Sequence, residues 1–518
     1  MGEMTVLVML ETGLLVASGA GLLLIFARSI LRKLAQPAKS WLHCLLDAVL
    51  EVPFRLRLGR FGQGNDVKSA LVAAMSTTKL KALSLRIDKK GRGGGEEDAS
   101  FVTRYAKTRE SGLRALGVEY SPLGYLVVQR VMTRRMETRL RFVDFIRRHP
   151  QVEQTSLGSS DPIFVIGFPR TGTTFLHELL GLHPRLRMHY TWEQIDPVPR
   201  ISMPASCTKG RVAEVMREDR RQRYAENRSM FAMMLRILGD DIQSIHRIGY
   251  DDPEECTTPC ALELPWAISE LPLHIAAPQL LSEGAGNTFA YYRRFLQLLT
   301  WQHLNCVATD DEREREEGKT WMLKCPFHLP YLDEMTEEFP GCTVVWTHRD
   351  PVECIASACS LYEVLARAAI ETNSLDRAVL GRAVLDYTEE ALLRAHATLD
   401  KIAETHPHVK VIHVRYTDNV QDPVKVCRSI LRGSGFGGKG DDEWEHRVCE
   451  YLAKNKAERT EKAQSRAKKL SGGGNTIHTY SLQDYGLSAT DVRMRFKKYT
   501  DRHNLVVGEK EKVDKKEI

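Results

Sequence analysis

A chain of 518 residues with 43% hydrophobic residues can bury a sizeable core, as one α/β domain with appendages or as more than one domain. Its net charge of +6 is weak and dispersed and no nucleic-acid-reading motif occurs, so no nucleic-acid partner is expected. Eleven cysteines run from Cys44 to Cys449 without a CxxC pair. The odd count leaves at least one thiol unpaired in a monomer, and Cys256-x-x-x-Cys260 is too weak a pattern to imply a metal.

Residues 6–26 are mostly apolar and match the ~20 residues that a membrane-spanning helix needs. Glu11 sits away from the centre of the run, and Arg28, Arg32 and Lys33 follow it. Residues 1–35 are therefore expected to form a single-pass membrane anchor. By the positive-inside rule the body of the protein would face the cytosol. Residues 41–61 are amphipathic with several Arg, suited to a membrane surface or to the globular body. Residues 89–98 are charged and Gly-rich, so 36–100 read as a juxtamembrane helix and linker. A globular domain is expected over 101–505, followed by a charged tail at 506–518.

Residues 123–148 carry a long amphipathic helical pattern ending before His149-Pro150. Residues 163–166, Ile-Phe-Val-Ile, suit a buried parallel strand. Gly167 and Gly172 bracket the loop that follows, and a helix begins at Thr173 or Thr174. Strand, glycine loop and helix start make a phosphate cradle, because the N–H groups of the first helical turn are unpaired and the helix dipole favours an anion. The loop departs from the nucleotide-triphosphate pattern G-x-x-x-x-G-K-[ST]: Thr173 stands at the lysine position, and the cation is Arg170, inside the loop.

The prolines at 197 and 199 imply an exposed loop over 192–199, and 211–238 look helical. An acidic turn at 251–255 leads into a helical region to about 304. Residues 310–319 form a charged loop, 321–324 a strand and 329–339 a helix. A strand is expected at 343–348, a helix at 352–369, a strand at 409–414 and a helix at 423–431. Beyond them come a solvated helix at 450–470, a glycine loop at 472–474, a turn at 478–487 and a helix at 488–503 capped by Ser488. Strands separated by helices imply an α/β fold, a parallel sheet flanked by helices. Ligands of such sheets sit at the carboxyl ends of the strands. Those ends carry Arg170, Lys324 with His328, Arg349 and Tyr416, which suit a polyanion.

The cradle, the segment from Trp321 through Lys324 to His328-Leu-Pro, Thr347-His-Arg349-Asp-Pro with Ser357, and Arg415-Tyr416-Thr together resemble the broad sulfotransferase family of bacteria and many eukaryotes. The resemblance runs from about Arg139 to Leu505. It implies a P-loop-like phosphosulfate-binding loop with a helical insertion, and 3′-phosphoadenosine-5′-phosphosulfate (PAPS) as co-substrate. Arg170, Thr171, Gly172, Thr173 and Thr174 would hold the 5′-phosphosulfate, Phe175 would stack on adenine, Arg349 and Ser357 would hold the 3′-phosphate, and Tyr416 would lie near the nucleotide. Arg170 and Lys324 would stabilise the leaving group. Two bases compete to deprotonate the acceptor: His328, two residues further from Lys324 than in the cytosolic enzymes, and Glu193, which matches the acidic base of tyrosine- and glycan-modifying members. No metal is expected. The closing Arg-Lys-Gly segment of the cytosolic enzymes is missing, and 468–474 take its place.

The acceptor implied is a hydroxyl or amine on a small molecule, lipid or glycan. Residues 205–305 would wall its pocket, with Met230, Met233, Met234, Leu235 and Leu238 as an apolar stripe that more often reads as core. Membrane-bound members of the secretory pathway, in the endomembrane system or Golgi, orient opposite to the positive-inside reading, and the two expectations stand in conflict. A nucleotide-dependent phosphotransferase and a non-catalytic membrane adaptor are the alternatives. The missing lysine after Gly172 opposes the first, and the intact basic set opposes the second.

Overall fold

In the computed structural model the described residues are 110–505, apart from 202–207, 239–247, 264–274, 277–280, 283, 368, 372–373, 439 and 471–480. Helix α1 (Pro122–Arg148) opens with Ser121, whose hydroxyl accepts from the Gly124 N–H, and with Pro122 at the first helical position, where a missing N–H does no harm. Strand β1 (Ile163–Ile166) runs into the glycine loop and α2 (Thr173–Gly181). β2 (Leu186–Arg187), α3 (Thr191–Ile195), α4 (Lys209–Leu238), α5 (Thr257–Cys260), α6 (Thr288–Cys306) and α7 (Asp310–Glu317) follow. β3 (Thr320–Lys324), a 3₁₀ turn over Pro326–Tyr331, α8 (Leu332–Glu338), β4 (Thr343–His348), α9 (Pro351–Arg367) and α10 (Arg377–Thr405) come next. The chain continues through β5 (Lys410–Arg415), α11 (Tyr416–Gln421), α12 (Pro423–Gly433), α13 (Asp441–Leu470), α14 (Ala489–Arg495) and α15 (Lys497–Arg502).

The strands form one parallel sheet in the order β2-β3-β1-β4-β5. Both faces are covered, which explains why the central strands read as unbroken apolar runs. Phe164, Ile166, Trp321, Leu323, Val344 and Trp346 point into one core layer with α1, α6, α8, α9 and α10. Ile163, Val165, Met322 and Val345 point into the other, with α2, α12 and the start of α13. Trp444 fastens α13 there, donating its indole N–H to the Leu179 carbonyl at 2.9 Å.

Three expectations change. Residues 310–317 are helical, because the Thr309 hydroxyl accepts from the Glu312 N–H while the Glu312 carboxylate accepts from the Thr309 N–H. Residues 191–195 form a buried helix rather than an exposed loop. The methionine stripe late in α4 is not core: Met230, Met233 and Met234 are 41%, 57% and 38% exposed, while Met216 of the same helix is buried. Among the described residues no helix is long and apolar enough to cross a membrane. Residues 6–26, which carry the expected span, lie outside the described residues, as do 89–98 and 472–474.

Candidate functional site

Register brings the carboxyl ends of the strands to one rim. Val165 pairs with Lys324, Ile166 with Trp346, and His348 with Arg415. The loops after β1, β3, β4 and β5 therefore leave the sheet side by side.

The loop after β1 is shaped by backbone that few residues adopt. Gly167 has φ 147°, and a Cβ there would stand 2.8 Å from the Thr347 carbonyl oxygen. Gly172, at the N-cap of α2, has φ 86°, and its Cβ would approach the Tyr416 ring to 3.0 Å. Arg170 also has φ 75°, a conformation that strains an L-residue by ~1–2 kcal/mol. Tertiary bonds hold it there: Arg170 Nε donates to Ser357 Oγ at 3.0 Å, and Arg349 Nη1 donates to the Arg170 carbonyl at 2.9 Å. The Thr171 hydroxyl is buried, donating to the Phe168 carbonyl at 2.7 Å beside Thr347 Oγ1 at 2.6 Å, so its side chain locks the loop from beneath. No side chain caps α2. The N–H groups of its first turn, at Thr173, Thr174 and Phe175, have no intrahelical acceptor. Thr173 is buried, Thr174 is exposed, and Phe175 is half-buried against the core layer of α2 and α12.

Arg349, at the end of β4, lies over the Tyr416 ring with its guanidinium carbon 3.9 Å from the centroid. Its outer edge donates to Glu353 at 2.6 and 2.9 Å. Arg170, Ser357, Arg349 and Tyr416, spread over nearly 250 residues of chain, thus converge on one turn of backbone. Asn419 joins them from α11. It is 1% exposed, its amide nitrogen lies 3.5 Å from where a Gly172 Cβ would be, and neither amide oxygen nor nitrogen has a hydrogen-bond partner. A buried amide with nothing to bond is costly, and here it faces the loop. Its only sequence signal is its place one turn after Tyr416.

The second half of the site lies at the end of β3. Lys324 is 2% exposed, and its ammonium bonds the Glu255 carboxylate at 2.7 Å. Burial works against its charge, but Glu255 and Glu254 outweigh that and hold its pKa above the ordinary lysine value. The Glu254 carboxyl is shifted upward as well. Burial, opposed by Lys324 and aided by Glu255, pushes its pKa up to about 7. The acidic turn at 251–255, to which the sequence gives no chemical role, is therefore part of this cluster. His328 is buried among the rings of Phe164, Phe289 and Tyr292, with centroids 5.7, 5.3 and 6.2 Å away. Burial lowers its pKa to about 3, and its Nε2 has no partner.

Glu193 stands apart from this arrangement in its bonding. It is buried in α3, where Oε2 accepts from the Tyr190 N–H at 3.1 Å. Oε1 accepts from Arg220 at 2.8 Å and lies 3.0 Å from His303 Nε2. Burial raises its pKa, but His303, Arg220 and the Tyr190 N–H outweigh it and bring it down to about 2. Both oxygens are engaged in holding α3, α4 and α6 together. Cys256 and Cys260 are buried free thiols on α5, with the Cys256 pKa pushed up to about 12 by burial.

The sequence profile described as the sulfotransferase family matches residues 162–436, more than half of the chain. The chain belongs to the sulfotransferase family. The matched stretch holds the five strands found among the described residues and every site residue described above. Its fold is shared by two solved sulfotransferases. STF1 from Mycobacterium tuberculosis H37Rv is 22% identical, with a TM-score of 0.58 over 83% of this chain and 97% of that one. STF9 from Mycobacterium avium is 21% identical, with a TM-score of 0.60 over 86% of this chain and 99% of that one. No curated protein matches the chain.

Proposed function

We propose that this sulfotransferase moves a sulfuryl group from PAPS to a hydroxyl or amine acceptor and releases 3′-phosphoadenosine-5′-phosphate (PAP). The observation that carries the reading is the meeting of Arg170, Ser357, Arg349 and Tyr416 at the Gly172 turn, with the unpartnered amide of Asn419 among them. The residues fit the donor. Glycine at 172 lets the loop turn in the left-handed conformation tight against Tyr416, and the uncapped first turn of α2 offers N–H groups to a phosphate. Arg170 supplies a fixed charge beside those groups, Arg349 and Ser357 a second anion pocket, and Asn419 has both a donor and an acceptor to give.

PAPS, when bound, supplies a sulfur whose bond to the phosphate oxygen breaks as the acceptor oxygen or nitrogen bonds to it. Positioning and charge stabilisation then dominate catalysis, as in phosphoryl transfer. Lys324 is suited to meet the charge that grows on the leaving phosphate oxygen, by exchanging its bond to Glu255 for one to that oxygen. Arg170 acts as a clamp, through its planar fork of donors. The acceptor's proton needs a base. Glu254 is the best matched, since a group titrating near 7 both accepts and releases protons at neutral pH. His328 is neutral but too weakly basic, and offers Nε2 as a hydrogen-bonding partner for the acceptor. Glu193 serves as a positioning residue that ties the start of α3 to α4 and α6.

Calorimetry with PAP and with ATP tests the donor. Preference for PAP is expected; preference for ATP, or no binding of either, overturns the reading. Small molecules, lipids and glycans remain the acceptor classes to screen with labelled PAPS. We also read residues 6–26 as a tether to a membrane, such as the Golgi. Alkaline carbonate extraction of the full chain against one lacking residues 1–35 tests it, with release only of the shorter chain expected.

A further inference from the structure

On the far side of β4 from the phosphate loop, four histidines gather where the C-terminal helices meet the edge of the sheet. His348 ends β4, His413 lies on β5, His396 on α10, and His503 follows α15. His348 Nε2 is 2.8 Å from His413 Nδ1. The ring of His503 stacks on that of His348 with centroids 3.8 Å apart and planes 18° apart. His396 Nε2 is 2.9 Å from His503 Nε2. One ring nitrogen from each of His348, His413 and His503 lies within 4.8 Å of the other two.

We propose that His348, His413 and His503 form a binding site for a divalent first-row transition-metal ion, zinc in the first instance, which pins the C-terminal helices to the sheet. Three imidazoles without a carboxylate or thiolate favour zinc, copper, nickel or cobalt over magnesium or calcium. An ion ~2.0–2.1 Å from each nitrogen in tetrahedral geometry sets the nitrogens about 3.3 Å apart. The His348–His413 pair therefore opens by about half an ångström, within the reach of ring rotation. His348 is buried while His413 is exposed and His503 half-buried, so the site is anchored on one side and open to an entering ion on the other.

The surroundings suit ligation. Tyr499 Oη is 3.1 Å from His348 Nδ1, which orients the ring and leaves Nε2 as the ligand atom. Arg502 is the cation facing the cluster, and Asp400 pairs with it at 2.6 Å. Water on the open side can take the fourth position.

The site adjoins the candidate nucleotide pocket. His348 precedes Arg349, and the Tyr499 hydroxyl accepts from the Arg349 backbone N–H. An ion there would stiffen the main chain from which Arg349 reaches the phosphate loop. That coupling rests on the function proposed above; metal binding itself does not.

Cobalt(II) added to the metal-free full chain tests the site, because tetrahedral cobalt gives intense visible bands. One equivalent is expected to bind with such bands, zinc is expected to displace it, and zinc is expected to raise the melting temperature. His413→Ala and His503→Ala are each expected to weaken cobalt binding by at least about tenfold and to abolish the zinc-dependent rise. His413 is exposed on an edge strand, so its variant tests the site even if His503→Ala fails to fold. His446→Ala, which alters an exposed histidine on α13, serves as the control and is expected to change nothing. Absence of tetrahedral bands in the parent chain, or bands that survive in both variants, overturns the proposal. PAP affinity with and without zinc then reports the coupling separately.

Discussion

Replacing Arg349 by lysine keeps the positive charge and removes the geometry. The guanidinium makes two contacts that an ammonium cannot reproduce together: the bond from Nη1 to the Arg170 carbonyl at 2.9 Å and the stack on Tyr416 at 3.9 Å. A hydrogen bond from a charged donor contributes ~1.5–3 kcal/mol when well buried, and this side chain is 23% exposed, so ~1 kcal/mol is the fair value. The cation–π contact adds ~1 kcal/mol. The pair with Glu353 counts for little, because Glu353 is 56% exposed and lysine can reach it. The total of ~2 kcal/mol corresponds to a roughly thirtyfold loss of affinity for PAP. It falls on binding because the two contacts hold Arg170 in its left-handed conformation, from which it faces the anion. Isothermal titration of PAP into the parent and Arg349→Lys proteins measures this, with circular dichroism and melting temperature as folding controls. A folded variant that binds PAP within threefold of the parent would refute the assignment of Arg349 and the tie between the two anion pockets.

Asn419→Leu is expected to leave unfolding stability equal or higher, since it removes an unsatisfied buried amide, while PAP affinity falls several-fold; weaker unfolding stability with unchanged titration would mean the amide serves the fold instead. Glu254→Gln is expected to lower turnover by about a hundredfold or more. A base works only when deprotonated, so kcat/KM of the parent should rise with pH through about 7 and level off above it, and the variant should lose that limb; a variant with parental turnover and pH profile rules Glu254 out. Glu193→Gln leaves the half-buried Arg220 without its counter-charge inside the fold and weakens the contact with His303, and is expected to reduce stability in urea unfolding by ~2–3 kcal/mol, with the residual turnover tracking the folded fraction. Turnover lost from a fully stable Glu193→Gln protein would return Glu193 to the role of base.

β1, β3 and β4 were legible because each is a short apolar run between polar turns, and burial on both faces of a parallel sheet demands that pattern; the two-residue β2 raised no expectation. The strand ends gave Arg170, Lys324, Arg349 and Tyr416, since loops directly following strands face one rim whatever the details of packing. The expectations that changed depended on other forces. Asp310–Glu317 has no apolar face to betray a helix and is nucleated by a reciprocal cap. The prolines near Glu193 suggested an exposed loop, yet Arg220 and His303 draw that carboxylate inward. Met230, Met233 and Met234 of α4 carry a core-like pattern and face out. α10, 29 residues long, raised no expectation at all.

The sequence alone determined the alternation of strands and helices, the glycine-bounded loop and the residues that could meet an anion, because backbone conformation and hydrophobic period are local properties. The tertiary structure decided which of those residues share a pocket and how strongly each holds a proton. Lys324 and Glu255 are 69 residues apart in the chain and 2.7 Å apart in space, and it is chiefly burial beside that pair that raises the proton affinity of Glu254. Charge and burial act through distance, and distance between remote residues exists only once the chain has folded.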